Sequence, residues 1–182
     1  MQTEQTITSE EMIHQTTLKW LHERGIRLDD IADLVYELQK EFYIDLSLDE
    51  CRHHVERVLE KREVQNAILT GIQLDLLAEK EQLLAPLQHL IFHDEPLYGI
   101  DEILATSILH IYGSIGITNY GHIDRVKPGI LARLNNKEDG QIHTFLDDLV
   151  GAVAAAAAAR LSHSRKRARD LQYGAPRKTF TD

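Results

Sequence analysis

The chain has 182 residues, 29 of them acidic and 20 basic, for a formal charge of −9. That length suits one domain with a sizeable core, and 43% apolar against 27% charged residues is a globular balance, not a disordered one. A single cysteine, Cys51, excludes an internal disulfide and a cysteine-based zinc site. With no charged-then-apolar leader at the N-terminus, the expected setting is the reducing cytoplasm.

Helical periodicity dominates the chain and no alternating strand emerges. Thr8 to Glu11 read as a capping box, followed by Met12, Ile13, Thr16, Trp20 and Leu21 on one stripe that Gly25 ends. Asp29 or Asp30 is expected to cap a second helix, with Ile31, Leu34, Val35 and Leu38 inward. Ser47 with Glu50 is another capping box, opening a helix whose buried side carries Leu48, Cys51, Val55, Val58 and Leu59. From about Arg62 the apolar positions crowd together, which predicts a central helix. Pro86 starts a short helix, and Pro96 separates it from one beginning near Tyr98.

Gly113, Gly116 and Gly121 predict an irregular stretch reaching Pro128, and residues 135–142 a surface loop. Thr144 is expected to cap a long last helix containing Gly151 and the six alanines Ala154 to Ala159. Side chains that small let neighbours approach closely, which places this helix at the centre of a bundle. The fold class expected is therefore all-α, a compact multi-helix bundle with a central small-residue helix and a carboxylate-rich centre. Residues 1–160 form one domain, and a basic C-terminal tail covers 161–182, loosely held after His163.

The longest wholly apolar run, Leu149 to Ala159, is too short to cross a bilayer. Charge is unevenly spread: residues 160–182 hold seven basic side chains against two acidic ones, leaving −14 on the rest. So acidic a body repels nucleic acid, which argues against a DNA-binding role for the whole chain. The tail could still meet an anionic membrane, each lysine or arginine near such a surface being worth roughly 1 kcal/mol. A solvated end is the plain alternative for it.

Asp75 and the pairs Asp94-Glu95, Asp101-Glu102 and Asp147-Asp148 stand among apolar residues. Interior carboxylates need a hydrogen bond, a counter-ion or a metal, and several converging in a bundle suit a hard divalent cation. The bland reading of the two later pairs is that they begin helices, where acids meet the dipole and free N–H groups. Asp75 shares a helix face with Ile68, Gly71 and Ile72, so it is either a ligand or a paired core carboxylate. His93-Asp94 resembles the dyad of the all-helical HD phosphohydrolases, with His53, His54 and Asp147 as conceivable partners. Cys51 and Arg57 have cysteine-phosphatase spacing, but the residues between them lack glycine and include Glu56, so Cys51 reads as a buried small hydrophobe. None of the common phosphate-loop, nucleophile-elbow or dinucleotide fingerprints is present.

Three blocks in order carry a resemblance: His93-Asp94 with Asp101-Glu102, Ile123 to Ile130 with its Asp-x-x-Lys-Pro, and Phe145 to Ala152 with its Asp-Asp and small-residue helix. Together they resemble the phosphatidylglycerophosphatase A family, in particular its soluble branch labelled low-temperature-requirement C. The likeness spans about residues 90–160, while the spanning helices and N-terminal Gly-Thr-x-Gly-Ser block of membrane-bound members have no counterpart beyond Thr70-Gly71.

The resemblance implies removal of the terminal phosphate of phosphatidylglycerophosphate with Mg2+ (or Mn2+). It implies Asp101, Glu102, Asp147 and Asp148 as metal ligands or positioners of the attacking water; Asp75, His93 and Asp94 are further metal candidates from their own settings in the sequence. Asp101, Glu102, Asp124, Lys127 and Asp148 form the expected catalytic set, Lys127 facing phosphate charge. The expected partners are an anionic phospholipid or other phosphomonoester and a second copy in a homo-oligomer. The expected place is the cytoplasm, peripheral at the inner face of the plasma membrane. Two alternatives remain, a non-catalytic helical scaffold and an HD-like hydrolase of a soluble substrate.

Overall fold

The computed structural model describes residues 9–136 and 140–173. Among them are nine α-helices, one 3-10 turn and no strand. The helices are α1 (Ser9–Glu23), α2 (Leu28–Gln39), α3 (Leu48–Leu59), α4 (Arg62–Glu79), α5 (Leu87–His93), α6 (Ile100–Leu109), α7 (Gly113–Val126), α8 (Ile130–Asn135) and α9 (Leu146–Tyr173).

Their starts follow local chemistry, with one correction. Ser47 Oγ accepts the Glu50 N–H at 3.2 Å and opens α3 as expected. In α2, however, Asp30 is an inside residue, not the cap: its carboxylate reaches back 2.8 Å to the Arg27 N–H, and Arg27 occupies the capping position. Thr8, the expected cap of α1, lies outside the described residues.

The chain wraps around α9, which at 28 residues is about 42 Å long. Its side chains from Leu146 to Ala159 are nearly all withdrawn from solvent, and α2, α3, α4, α6, α7 and α8 pack against it. Ala154 to Ala159 are each fully buried, so neighbouring backbones close in on every side, as the small-residue pattern predicts. The same force explains a misreading. Residues 113–126 are not irregular but form α7, since Gly116 lies where α7 crosses α9 and a methyl there would sit 3.9 Å from Ala159 Cβ. Packing outweighs glycine's weak helix propensity. Only Gly113, at φ 68, breaks the chain.

By length and hydropathy Ile100–Val126 could cross a membrane. It is nonetheless two helices and a 3-10 turn, packed on α9. Its outward side leaves Ile103, Ile111, Ile117 and Val126 exposed.

The C-terminal half of α9 departs from expectation too. The helix continues to Tyr173 instead of loosening after His163, because Arg165 ties it down. That guanidinium contacts Glu50 at 2.5 Å and Asp45 at 2.6 Å and lies over the Tyr43 ring. Arg177 and Lys178 of the expected tail lie outside the described residues.

Two glycines give opposite predictions. A methyl at Gly71 on α4 would overlap Leu149 Cδ1 and stand 2.9 Å from Phe145 Cβ, so Gly71→Ala is expected to destabilise by about 1–3 kcal/mol. At Gly151 the nearest atoms are 3.6–3.7 Å away, ordinary contact, so Gly151→Ala should gain about 0.5–1 kcal/mol of helix propensity. Urea unfolding of the two variants checks both signs.

Candidate functional site

The acids of α6 and α9 meet the end of α7 at one corner of the bundle. Asp124 and Lys127 are one turn apart, and Lys127 closes α7 in the left-handed conformation, φ 46, just before Pro128. Its Nζ stands 2.7 Å from Asp124, 2.9 Å from Asp147 and 3.4 Å from Asp148. Across from it lies Asp101, buried in the first turn of α6, its Oδ1 accepting the Glu102 N–H at 2.9 Å. Asp147 does the same for the Asp148 N–H at 2.9 Å. These acids therefore serve their helix starts, as the bland reading held, while also gathering into one cluster.

Electrostatics confirms the gathering. Burial pushes Asp101 above the usual carboxylate range, with Asp94 and Glu102 adding to it. Burial and then Asp147 push Asp148 up to about 8. Asp147 is raised by burial against the pull of Lys127, and Asp94 raises it further. Burial alone would lower Lys127, but Asp147 and Asp124 outweigh it and hold the ammonium charged. Carboxylates thus crowd around one half-buried lysine.

Of the sequence-derived candidates, Asp94, Asp101, Asp124, Lys127, Asp147 and Asp148 come together, with Glu102 on the exposed rim. Asp75 has both carboxylate oxygens engaged by backbone N–H groups. Wholly buried on α4, it accepts the N–H groups of Phe145 and Leu146 at 3.1 Å each, so it caps α9 from a neighbouring helix. Thr144, the expected cap, instead donates its hydroxyl to the Ile91 carbonyl at 2.6 Å. His93 lies on the exposed side of α5, its Nδ1 2.9 Å from the His89 carbonyl, and lines a surface groove with His89 and Glu81. The HD alternative also fails to assemble. His54 is buried with its Nδ1 on Arg160, which is thirteen residues, about 20 Å, along α9 from Asp147. Burial and Arg160 lower its pKa to about 4. Cys51 is fully buried, its thiol pushed up to about 11 by burial, as a core residue should be.

Sequence reading missed the frame that fixes the start of α9. Arg24 at the end of α1 reaches Glu79 at 2.7 Å and the Ile142 carbonyl at 2.5 Å, while Glu79 accepts the Ile142 N–H at 2.8 Å. With Asp75 and Thr144, these pin residues 142–146 to three other helices. No local pattern announces contacts so distant in sequence.

The site's donors are all carboxylate oxygens, the chemistry a hard divalent cation prefers, and their buried charge exceeds what one lysine balances. Among the described residues, no three His, Cys, Asp or Glu side chains are grouped tightly enough to hold a metal ion as they stand. The ammonium of Lys127 lies among Asp124, Asp147 and Asp148 instead.

An all-α bundle with acidic pairs opening its inner helices and an Asp-x-x-Lys-Pro corner defines a class, and known proteins share it. Residues 17–163 match the phosphatidylglycerophosphatase A family, and the chain belongs to it. It is 62% identical to the uncharacterized protein YutG of Bacillus subtilis over 143 residues, 79% of this chain and 86% of that one. The crystal structure of low temperature requirement C protein from Listeria monocytogenes superposes with a TM-score of 0.84 at 58% identity, over 88% of this chain and 99% of that one. That of YpjQ from Bacillus subtilis gives a TM-score of 0.85 at 48% identity, over the same shares.

Proposed function

We propose that the protein is a divalent-cation-dependent phosphatase acting on a phosphomonoester, with phosphatidylglycerophosphate as substrate. The observation that carries this reading is the buried carboxylate cluster around Lys127, assembled from all three sequence blocks at one corner of the fold. Asp101, Glu102, Asp147 and Asp148 are the oxygens that would hold Mg2+ or Mn2+. When bound, the cation would neutralise charge on the phosphoryl oxygens. Lys127 supplies a second positive charge to the phosphate, Asp124 holds Lys127 in place, and the acids of α9 position the attacking water. Leu97, 91% exposed, with Ile100 and Ile103, flanks Asp101 and gives an acyl chain an apolar surface beside the reacting end.

The test is phosphate release from phosphatidylglycerophosphate in mixed micelles, with magnesium or with chelator, beside a soluble phosphomonoester. Release from the lipid that chelator abolishes is the expected result, with a melting temperature several degrees higher in magnesium. Asp148→Asn should remove the release while the metal-free melting temperature holds or rises, because it deletes a carboxylate that burial and Asp147 already disfavour. Release from the soluble ester alone would keep the chemistry and move the substrate off the membrane. No release and no metal effect would leave the corner as an ion-paired joint in a helical scaffold.

A further inference from the structure

Tyr120 lies on α7 one turn before Asp124 and two before Lys127, so the three share a stripe along that helix. The stripe faces Asp147, Asp148 and Gly151 on α9. The phenol ring packs beside Gly151: a methyl there would be 3.7 Å from Tyr120 Cε2, in ordinary contact. The residue is only 7% exposed, and its hydroxyl oxygen is buried with no hydrogen-bond partner among the described residues. Buried hydroxyls are nearly always bonded, and phenylalanine would fill the same space without the loss. The charges acting on this hydroxyl are, in order, those of Asp148, Asp124, Asp147 and Glu102, which are the acids of the site itself.

We propose that Tyr120 is a further catalytic residue, its hydroxyl donating a hydrogen bond to a phosphoryl oxygen of the bound substrate beside Lys127. This rests on the phosphatase reading and adds a group that none of the three sequence blocks contains. Chemistry selects the ligand. Burial and the surrounding acids keep the phenol protonated, so it acts as a neutral donor. A phosphoryl group brings several acceptor oxygens to one point, while Lys127 and a cation offset the repulsion from the carboxylates. A neutral donor stabilises the charge developing on those oxygens without adding to the crowded charge of the pocket.

Tyr112 supplies the control. Its hydroxyl is likewise buried and unbonded, but the charges near it are Arg160 and Glu63, away from the acid cluster. The experiment measures steady-state phosphate release from phosphatidylglycerophosphate micelles and from a soluble phosphomonoester, in magnesium, for the parent, Tyr120→Phe and Tyr112→Phe. Melting temperature is measured on all three.

Tyr120→Phe should lower kcat by about 10²-fold, the loss typical of one removed transition-state donor, with KM changed far less. Its melting temperature should equal or exceed that of the parent, since no bond in the protein is lost. Tyr112→Phe should match the parent in kcat. A Tyr120→Phe enzyme within twofold of the parent, or one whose lost activity follows a lower melting temperature, overturns the assignment while leaving the phosphatase reading intact. If the parent itself releases no phosphate, that reading fails by itself, and calorimetric titration with inorganic phosphate decides the site. Binding at least tenfold weaker in Tyr120→Phe supports it, and equal binding, or none by the parent, overturns it.

Discussion

Lys127→Met is expected to lower the stability of the metal-free protein by about 3 kcal/mol at pH 8 and to reduce kcat/KM by at least about 10²-fold. Methionine keeps an unbranched side chain one atom shorter and meets the left-handed backbone at φ 46 on the same terms as lysine, so the change removes chiefly the charged end. What remains is Asp124, Asp147 and Asp148 with their shared cation gone. An uncompensated buried carboxylate is costly until it takes up a proton.

The sign of the pH dependence follows. Burial and mutual repulsion already raise Asp147 and Asp148 above the ordinary carboxylate value, Asp148 to about 8. A carboxyl raised in the folded state binds more protons folded than unfolded, so the stability it contributes is complete below pH about 4 and is lost as pH climbs through its folded pKa. Removing Lys127 raises the pair further, so the deficit of the variant should shrink from pH 8 to pH 5. If the acids hold a divalent cation, magnesium should restore stability at pH 8, where both carboxylates ionise most readily. Urea unfolding at the two pH values, with and without magnesium, checks these points. A variant as stable as the parent at pH 8 would mean that the ammonium is a solvated surface charge, against its 24% side-chain exposure and three acidic contacts.

Parts of this protein can be read from its sequence. Asp147 and Asp148 are adjacent and the alanine run is continuous, so the last helix, its acidic start and its central place follow from local pattern alone. Asp124 and Lys127 stand in a stretch that reads as irregular, and only the family resemblance joined them to those acids. What stayed hidden depends on contacts between segments far apart. Asp75 shares its helix face with apolar residues, which fits a metal ligand and a core acceptor equally well. Only the fold reveals that its partners are N–H groups 70 and 71 residues downstream. Gly116 reads as a helix breaker because its compensation, the close approach to Ala159, lies on another helix. Arg165 looks like one more charge in a basic tail until Asp45 and Glu50 appear beside it.

Asp75→Ala should cost about 3 kcal/mol or more in the absence of any metal, and this direction separates the two roles that its sequence position allows. A ligand aspartate burdens the empty site with charge, so its loss should leave the metal-free fold unharmed or steadier and weaken metal binding instead. A capping acceptor does the opposite. The Phe145 and Leu146 N–H groups sit in the buried start of α9, and without Asp75 each loses its acceptor at about 1–3 kcal/mol apiece. Burial raises the Asp75 pKa well above its usual value while those N–H groups pull it back, so part of the loss is offset by relief of a disfavoured charge. Hydrogen exchange locates the effect. The Phe145 and Leu146 amides should lose protection in Asp75→Ala ahead of the middle of α9, which the alanine packing secures independently. Catalysis should fall as well, since Asp147 and Asp148 occupy the turn that Asp75 holds in place. Destabilisation without metal, with early exchange confined to that turn, identifies a positioning residue acting through α9, whereas a stable variant with weakened metal binding would return Asp75 to the ligand set.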